Sequence, residues 1–297
     1  MKAMVVKKSW FSSILEQREV KKPKIKDDEI MIKVSAAGVN RGDIIDVVAS
    51  DEGVCPGLEC AGIIEAVGRN VNCCKVGDKV CAILEGGGYA EKVAVPANLL
   101  LPLPDDIDLE AAAGLPYASC SIWSALFEMC DPKTLKDKKI LIHEGANGIG
   151  ALAIQYAKHM GLTVIASTGV DFVLDYGASN LRRNIECCCT GGKVVIVELH
   201  GKECGRIDLA RLQQHHTEIT VFDLQSRDLD YKASVIAEVR THLWPAILEK
   251  KVIPAVGNRF AMIEAQKALD LLKKNDGTGK IILYMDFEKT SGHLKGE

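Results

Sequence analysis

One stretch narrows the possible folds more than any other, residues 139–167. "KKILIHEG" is a compact apolar run of the length and type that forms one buried strand. In "NGIGALAIQYAKHMG", which follows, Ile149, Leu152, Ala153, Tyr156, Ala157 and Met160 fall at i, i+3, i+4, i+7, i+8 and i+11, the spacing of a single apolar helix stripe. Gly161 closes the helix as a C-cap, and "LTVIAST" begins the next strand. Strand, helix and strand make a βαβ unit, whose strands are expected to be parallel and whose crossover right-handed.

The turn inside this unit carries chemistry. "HEGANGIG" directly follows the first strand and opens the helix, where free N–H groups and the helix dipole favour a phosphate. Against the dinucleotide pattern G-x-G-x-x-G, Gly145 and Gly150 fit, Asn147 takes the middle position and Gly148 is an additional glycine. With Ala146 and Ile149 these residues are the candidate cofactor cradle, although tight strand–helix packing alone also selects such a turn. A ribose-binding acid is expected about 20 residues further on. Asp171 stands near that distance, but beyond Thr168-Gly169 at the start of another apolar run, where a turn or strand-edge residue is the simpler reading. "ASTG" (166–169) contains no acid and so selects neither NAD nor NADP; Ser167 and Thr168 are the candidate cofactor contacts there.

The first hundred residues have a different rhythm. "DEIMIKVSAAGVN" sets Ile30, Ile32 and Val34 against Met31, Lys33 and Ser35, the period of two that marks a half-buried strand. "LECAGIIEAVG" and "YAEKVAVP" behave alike, with turns at Gly77-Asp78 and at the triple glycine before Tyr89, a residue read as core or site wall rather than as an acid. This part is expected to be all-β and barrel-like. From about residue 105 helix-period segments alternate with short apolar strands, the pattern of an α/β domain with a parallel sheet. Gly191-Gly192 reads as a stop between the helix "NLRRNIECCC" and the strand "KVVIVEL".

Composition restricts function. A chain of 297 residues, 47% hydrophobic and 26% charged, has room for two cored domains. Its net charge of −3, from 37 basic and 40 acidic residues, offers no basic field to nucleic acid or an anionic membrane, which points to a small-molecule role. "MKAMVVKKSW" lacks a signal-peptide core, and no apolar run is long enough to span a bilayer, so a cytoplasmic location is expected. The 11 cysteines include no C-x-x-C pair, and are expected to be reduced and mostly buried rather than zinc-binding.

"GVNRGD", "PGLECAGIIEAVG", "VGDKVCAILEGGGYAEKVAVP", "LPLPDDIDLEAAAGLP" and "HEGANGIGALAIQYAK" together resemble the zeta-crystallin-type quinone oxidoreductases of the medium-chain dehydrogenase/reductase superfamily. The resemblance implies a GroES-like β domain at 1–116 completed by about 258–286 and a Rossmann-type domain at 117–257, while the polar tail at 287–297 is expected to be disordered from its composition. It implies NADPH as cofactor, a quinone or α,β-unsaturated carbonyl as substrate, and a homodimer. Zinc-dependent relatives carry a His before the Glu of "GLECAG" and a Cys near "GVNRGD"; here those sites read Leu58 and Val39-Asn40, which implies a metal-free reaction. By resemblance Asn40 and Ser121 stand at the nicotinamide end, and Arg227 and Lys280 at positions that meet cofactor phosphates. By sequence alone Asn40 is equally a turn residue, Ser121 a helix serine bonded to its own backbone, and both cations solvated surface charges.

Two departures stand out. "KVVIV" leads into Glu198-Leu199-His200, where relatives tend to have glycine and where a carboxylate would repel a phosphorylated cofactor. After "VIAST" relatives have a further βα segment of about 30 residues before the strand that "VDFVLDY" resembles. Thr168-Gly169 reaches only about 10 Å, whereas a parallel return across an intervening strand needs about 17–20 Å lengthwise and about 10 Å sideways. Either the second run is therefore an antiparallel hairpin arm, or one of the runs gives up strand structure to serve as linker; without the segment, a weakly binding, non-catalytic relative is the alternative to a reductase.

Overall fold

The computed structural model describes residues 1–9, 12–128, 135–165, 168–176, 181–197, 207, 209–274 and 277–288. The chain divides into two compact units, Met1–Tyr117 with Val256–Glu297, and Ala118–Ala255. Ser167, the Glu198–His200 segment and the tail from 289 onward lie outside the described residues. Among the described residues no helix is long and apolar enough to cross a membrane.

In chain order the first unit holds β1 (Lys2–Lys8), β2 (Ser13–Glu19), β3 (Glu29–Gly38), α1 (Arg41–Ala49), β4 (Glu59–Val67), β5 (Lys79–Ile83), β6 (Lys92–Pro96), β7 (Leu100–Pro102) and α2 (Leu109–Ala112). Next come α3 (Pro116–Ile122), continued by a π-helical segment at Trp123–Glu128, then β8 (Lys139–Ile142), α4 (Gly148–His159), β9 (Thr163–Val164), β10 (Val170–Asp175), α5 (Leu181–Cys187) and β11 (Cys188–Val197). The second unit ends with α6 (Leu209–His215), β12 (Glu218–Phe222), α7 (Leu229–His242) and α8 (Trp244–Leu248). The chain returns to the first unit as β13 (Val256–Ala261), α9 (Ala265–Lys274) and β14 (Lys280–Tyr284).

The first unit is built on a sheet of order β13-β14-β3-β4-β5-β7, with β6 also on β3 and β1 paired to β2 as a separate ribbon. The period of two in β3 serves this: Ile30, Ile32 and Val34 are buried and Lys33 is exposed, while Met31 departs from the alternation and is buried as well. The core gathers Met4, Val47, Tyr89, Met262, Leu269 and Leu283. Phe287 belongs to the same core at 7% exposure, so the segment expected to be disordered from 287 is anchored at its first residue. The helix α1 was not expected; its β-branched run "DIIDVVA" has weak helix propensity and no clean period.

The second unit is a five-stranded parallel sheet of order β12-β11-β10-β8-β9. The expected stripe of α4 buries Leu152, Ala153, Tyr156 and Ala157, with Ile149 and Met160 at its half-buried margins. Gly191-Gly192 does not stop the strand; β11 already begins at Cys188, and the register jumps from Val170↔Cys188 to Phe172↔Lys193, so the glycines lie in a bulge.

The structure excludes the hairpin between β9 and β10. Both strands lie parallel to β8, on opposite sides of it: Ile140 pairs with Val164 of β9 and with Phe172 of β10. β9 ends at Val164 and β10 begins at Val170, so the chain passes between them in six residue steps. Val164 and Phe172 share one level, so the return to Val170 is about 7 Å back and about 10 Å across. Six residue steps reach about 20 Å, which suffices. Gly169, at φ 74 and bonded from its N–H to Cys187 O, makes the last turn into β10. A Gly169→Ala variant is expected to lose about 1 kcal/mol and Gly169→Asn less, since Asn tolerates left-handed backbone; urea midpoints that rank Asn below Ala would refute this account.

Candidate active site

In an open parallel sheet ligands bind outside the carboxyl ends of the strands, at the point where the strand order reverses. Here that point lies between β8 and β10, since β9 follows β8 on one side and β10 to β12 extend on the other. The glycine-rich turn stands there. Asn147 caps α4 by accepting from Gly150 N at 2.8 Å, and its amide donates to Glu144 Oε2 at 2.6 Å. A Cβ at Gly150 would lie 2.3 Å from Glu144 O, so glycine is the residue that lets the turn fold against the helix. The helix start leaves N–H groups for an anion, and Gly145 to Gly150 are brought together as the sequence suggested.

Ser121 lies in α3, fully buried, and its hydroxyl has no hydrogen-bond partner. The expected alternative, a bond to its own helix backbone, is therefore not made. Ser124 Oγ is likewise buried without a partner, three residues on where the helix widens into the π segment, a feature frequent at functional sites. Across the switch point His143 Nε2 lies 2.7 Å from Asn184 Oδ1, and Asn184 Nδ2 donates to Asp175 Oδ2 at 2.6 Å, a cluster that no spacing in the sequence announced.

Other expectations change place. Asp171, at the start of β10, accepts from Lys138 Nζ at 2.9 Å and from Lys139 N at 2.8 Å, so it stands at the strand-start edge as a structural residue. Thr168, two residues before β10, is exposed toward that same edge and not at the carboxyl edge where a cofactor contact was expected, because β9 stops short. Arg227 is exposed, its guanidinium 5.0 Å from the Tyr231 ring and 5.7 Å from that of Phe222, stacked and open to an anion.

In the first unit Asn40 and Lys280 join a buried polar network. Asn40 Nδ2 donates to Glu59 Oε1 at 2.9 Å and Lys280 Nζ to Asn40 Oδ1 at 2.6 Å, while Lys280 Nζ and Glu59 Oε1 form an ion pair at 2.7 Å. Glu59 Oε2 accepts from Tyr117 N. Lys280 is thus neither a surface charge nor a free phosphate ligand, and both polar ends of the Asn40 amide are engaged inside the unit. The Asn40 backbone N–H donates to Asp43 Oδ2 at 2.7 Å as it starts α1. Asp43 also accepts from Tyr89 OH at 2.8 Å and Leu58 N at 3.2 Å. Burial pushes the Asp43 carboxyl up to about 7, outweighing the bonds from Asn40 and Tyr89 that pull it down. Burial likewise raises the thiols of Cys55, to about 12, and Cys60. The donor set does not fit zinc: Leu58 is apolar and buried, Glu59 is already paired with an ammonium, and no three His, Cys, Asp or Glu gather among the described residues.

A β unit of this topology and a parallel sheet with a glycine-rich turn at its switch point define a two-domain dehydrogenase fold. Residues 26–105 match the alcohol dehydrogenase GroES-like domain and residues 151–283 the zinc-binding dehydrogenase domain. Two dehydrogenase family domains thus match the chain in succession. A highly reducing polyketide synthase of Didymella fabae is 37% identical over 144 residues, 48% of this chain and 7% of that protein. The chain thus spans only 6–7% of the length of the first curated relatives it matches. The quinone oxidoreductase of Thermus thermophilus, also solved in complex with NADPH, superposes with a TM-score of 0.81 at 24% identity, covering 96% of this chain and 100% of that one. CurK enoyl reductase does so at 0.80 and 20% identity, covering 92% and 95%.

Lys280→Met leaves Glu59 buried without its cation and is expected to cost about 3–5 kcal/mol, much of it recovered by adding Glu59→Gln; equal stability of the single and double variants in guanidinium would refute the pairing. For Asp43 the folded value of about 7 lies above the ordinary 3.8, so its contribution is full below about 3.8 and lost as pH rises through about 7. Stability should fall over that window with a slope that Asp43→Asn reduces; an unchanged slope in that variant would count against it.

Proposed function

We propose that the chain is an NADPH-dependent oxidoreductase that delivers hydride to a quinone or an α,β-unsaturated carbonyl without zinc. The observation that carries the reading is the glycine-rich turn and α4 N-terminus at the switch point of the parallel sheet. Gly145 to Gly150 would hold the diphosphate, and Ser121, with its buried unpartnered hydroxyl, would bond the nicotinamide carboxamide. The cofactor supplies the hydride; the protein binds and orients it. The metal-free assignment rests on Leu58 and on the Lys280–Glu59 pair, which puts a resident cation beside the carboxylate. Relatives named quinone oxidoreductase and enoyl reductase support the substrate class.

A second reading, a relative that binds cofactor weakly, is favoured by one observation: β9 ends at Val164, and no strand lies beyond it in the described sheet to carry the adenosine side. The two separate cleanly. The reductase should oxidise NADPH when a small quinone or enone is added, and millimolar NADPH should raise its melting temperature by several degrees, since ligand at 100 times its Kd adds about 2.7 kcal/mol. Ser121→Ala should lower turnover roughly tenfold while leaving the fold's melting temperature near its original value. No thermal shift at millimolar NADPH would sink the cofactor assignment and favour the second reading.

A further inference from the structure

The pleat places His143, one residue past β8, on the same face as Leu141, which packs in the core formed with Leu181 and Ile185 of α5. That face brings its imidazole to Asn184 of α5, and Asn184 in turn to Asp175 at the end of β10. Asn184 and Asp175 are each 1% exposed, whereas His143 is half-buried. A backbone bond from His143 N to Leu174 O, 2.9 Å, completes the tie between the two strands that flank the switch point.

The chain of bonds fixes the imidazole. A carboxylate oxygen accepts, so the amide NH₂ of Asn184 faces Asp175 and its Oδ1 faces His143. Nε2 must then be the donor, and Nδ1 carries the lone pair. Among the described residues Nδ1 has no hydrogen-bond partner. The charged group beside it along the chain, Glu144, already accepts from the Asn147 amide at 2.6 Å, and Arg182, Arg183 and Glu186 of α5 are exposed on its outer side. A buried amide and a buried carboxylate thus hold one half-buried acceptor at the carboxyl edge.

We propose that His143 Nδ1 accepts the hydrogen bond of a ribose hydroxyl on the nicotinamide half of the dinucleotide. This rests on the cofactor reading given above. With the diphosphate on the α4 N-terminus, the half that crosses to the β10 side of the switch point is the nicotinamide half, and its ribose is the sugar next to the diphosphate. Sugar hydroxyls are donors that a neutral imidazole nitrogen matches, and in the neutral ring a relay anchored at Asp175 leaves the lone pair on Nδ1 and points it one way.

The test compares dissociation constants for NADPH and for ADP, which lacks the nicotinamide ribose. His143→Leu should weaken NADPH roughly three- to tenfold, the value of one hydrogen bond, and leave ADP within about twofold; His143→Gln, with an amide acceptor, should recover part of the loss. Equal weakening of both ligands, or of neither, overturns the inference while the cofactor reading stands. Failure of the unsubstituted protein to bind either ligand overturns both. Should His143→Leu not fold, ¹⁵N spectra of the unsubstituted protein decide: the proposal requires an Nε2–H tautomer whose Nδ1 resonance moves on NADPH addition, and a static resonance or the other tautomer overturns it.

Discussion

The second unit depends on a length constraint. Six residue steps separate Val164 of β9 from Val170 of β10 on the other side of β8, and so short a span allows a parallel return only if the strands it joins overlap near their starts. The sheet meets this by ending β9 after Val164, at the level where β10 is about to pair. A β9 of only two residues costs a few ladder bonds. Inverting β10 would cost more, because its register with β8 and β11 buries Val170, Val173 and Leu174. The core sets the direction of the strand, and the link adapts.

The first unit rests on a different balance. Glu59 is fully buried, and an ionised carboxylate there is tolerable only with its bonds satisfied and a cation at hand. Lys280 supplies that cation from β14, more than two hundred residues away in sequence, and Asn40 bridges the two. Gly38 permits the arrangement, since a Cβ there would lie 2.2 Å from Glu59 Oε1. The C-terminal strand is therefore held by charge pairing as well as by its ladder with β3.

Much of this was legible in the sequence. The βαβ unit, the glycine-rich turn at Gly145–Gly150 and the period of two in β3 are local patterns, and local patterns survive folding. Long-range electrostatics were not legible: Lys280 in "TGKIIL" looks like a surface or phosphate-facing charge until β14 is paired with β3 and Glu59 is found beneath it. Likewise His143, Asn184 and Asp175 lie on three elements with no common spacing, and α1 hides behind β-branched residues whose propensity argues against the helix they form. The fate of "LTVIAST" was narrowed to two outcomes by reach alone, and packing chose between them.

What the shortened link removes and what it leaves are spatially separate. Beyond β9 the described sheet has no further strand, so the edge that would face the adenosine side is reduced to two residues. The switch point itself is intact: the Gly145–Gly150 turn, the cap at Asn147 and the tie from His143 to Asp175 all sit between β8 and β10, on strands whose registers the link does not disturb. On the proposed cofactor reading, diphosphate and nicotinamide interactions would keep their framework where adenosine interactions would not. A dinucleotide bound here would draw its affinity mainly from the half that carries the chemistry.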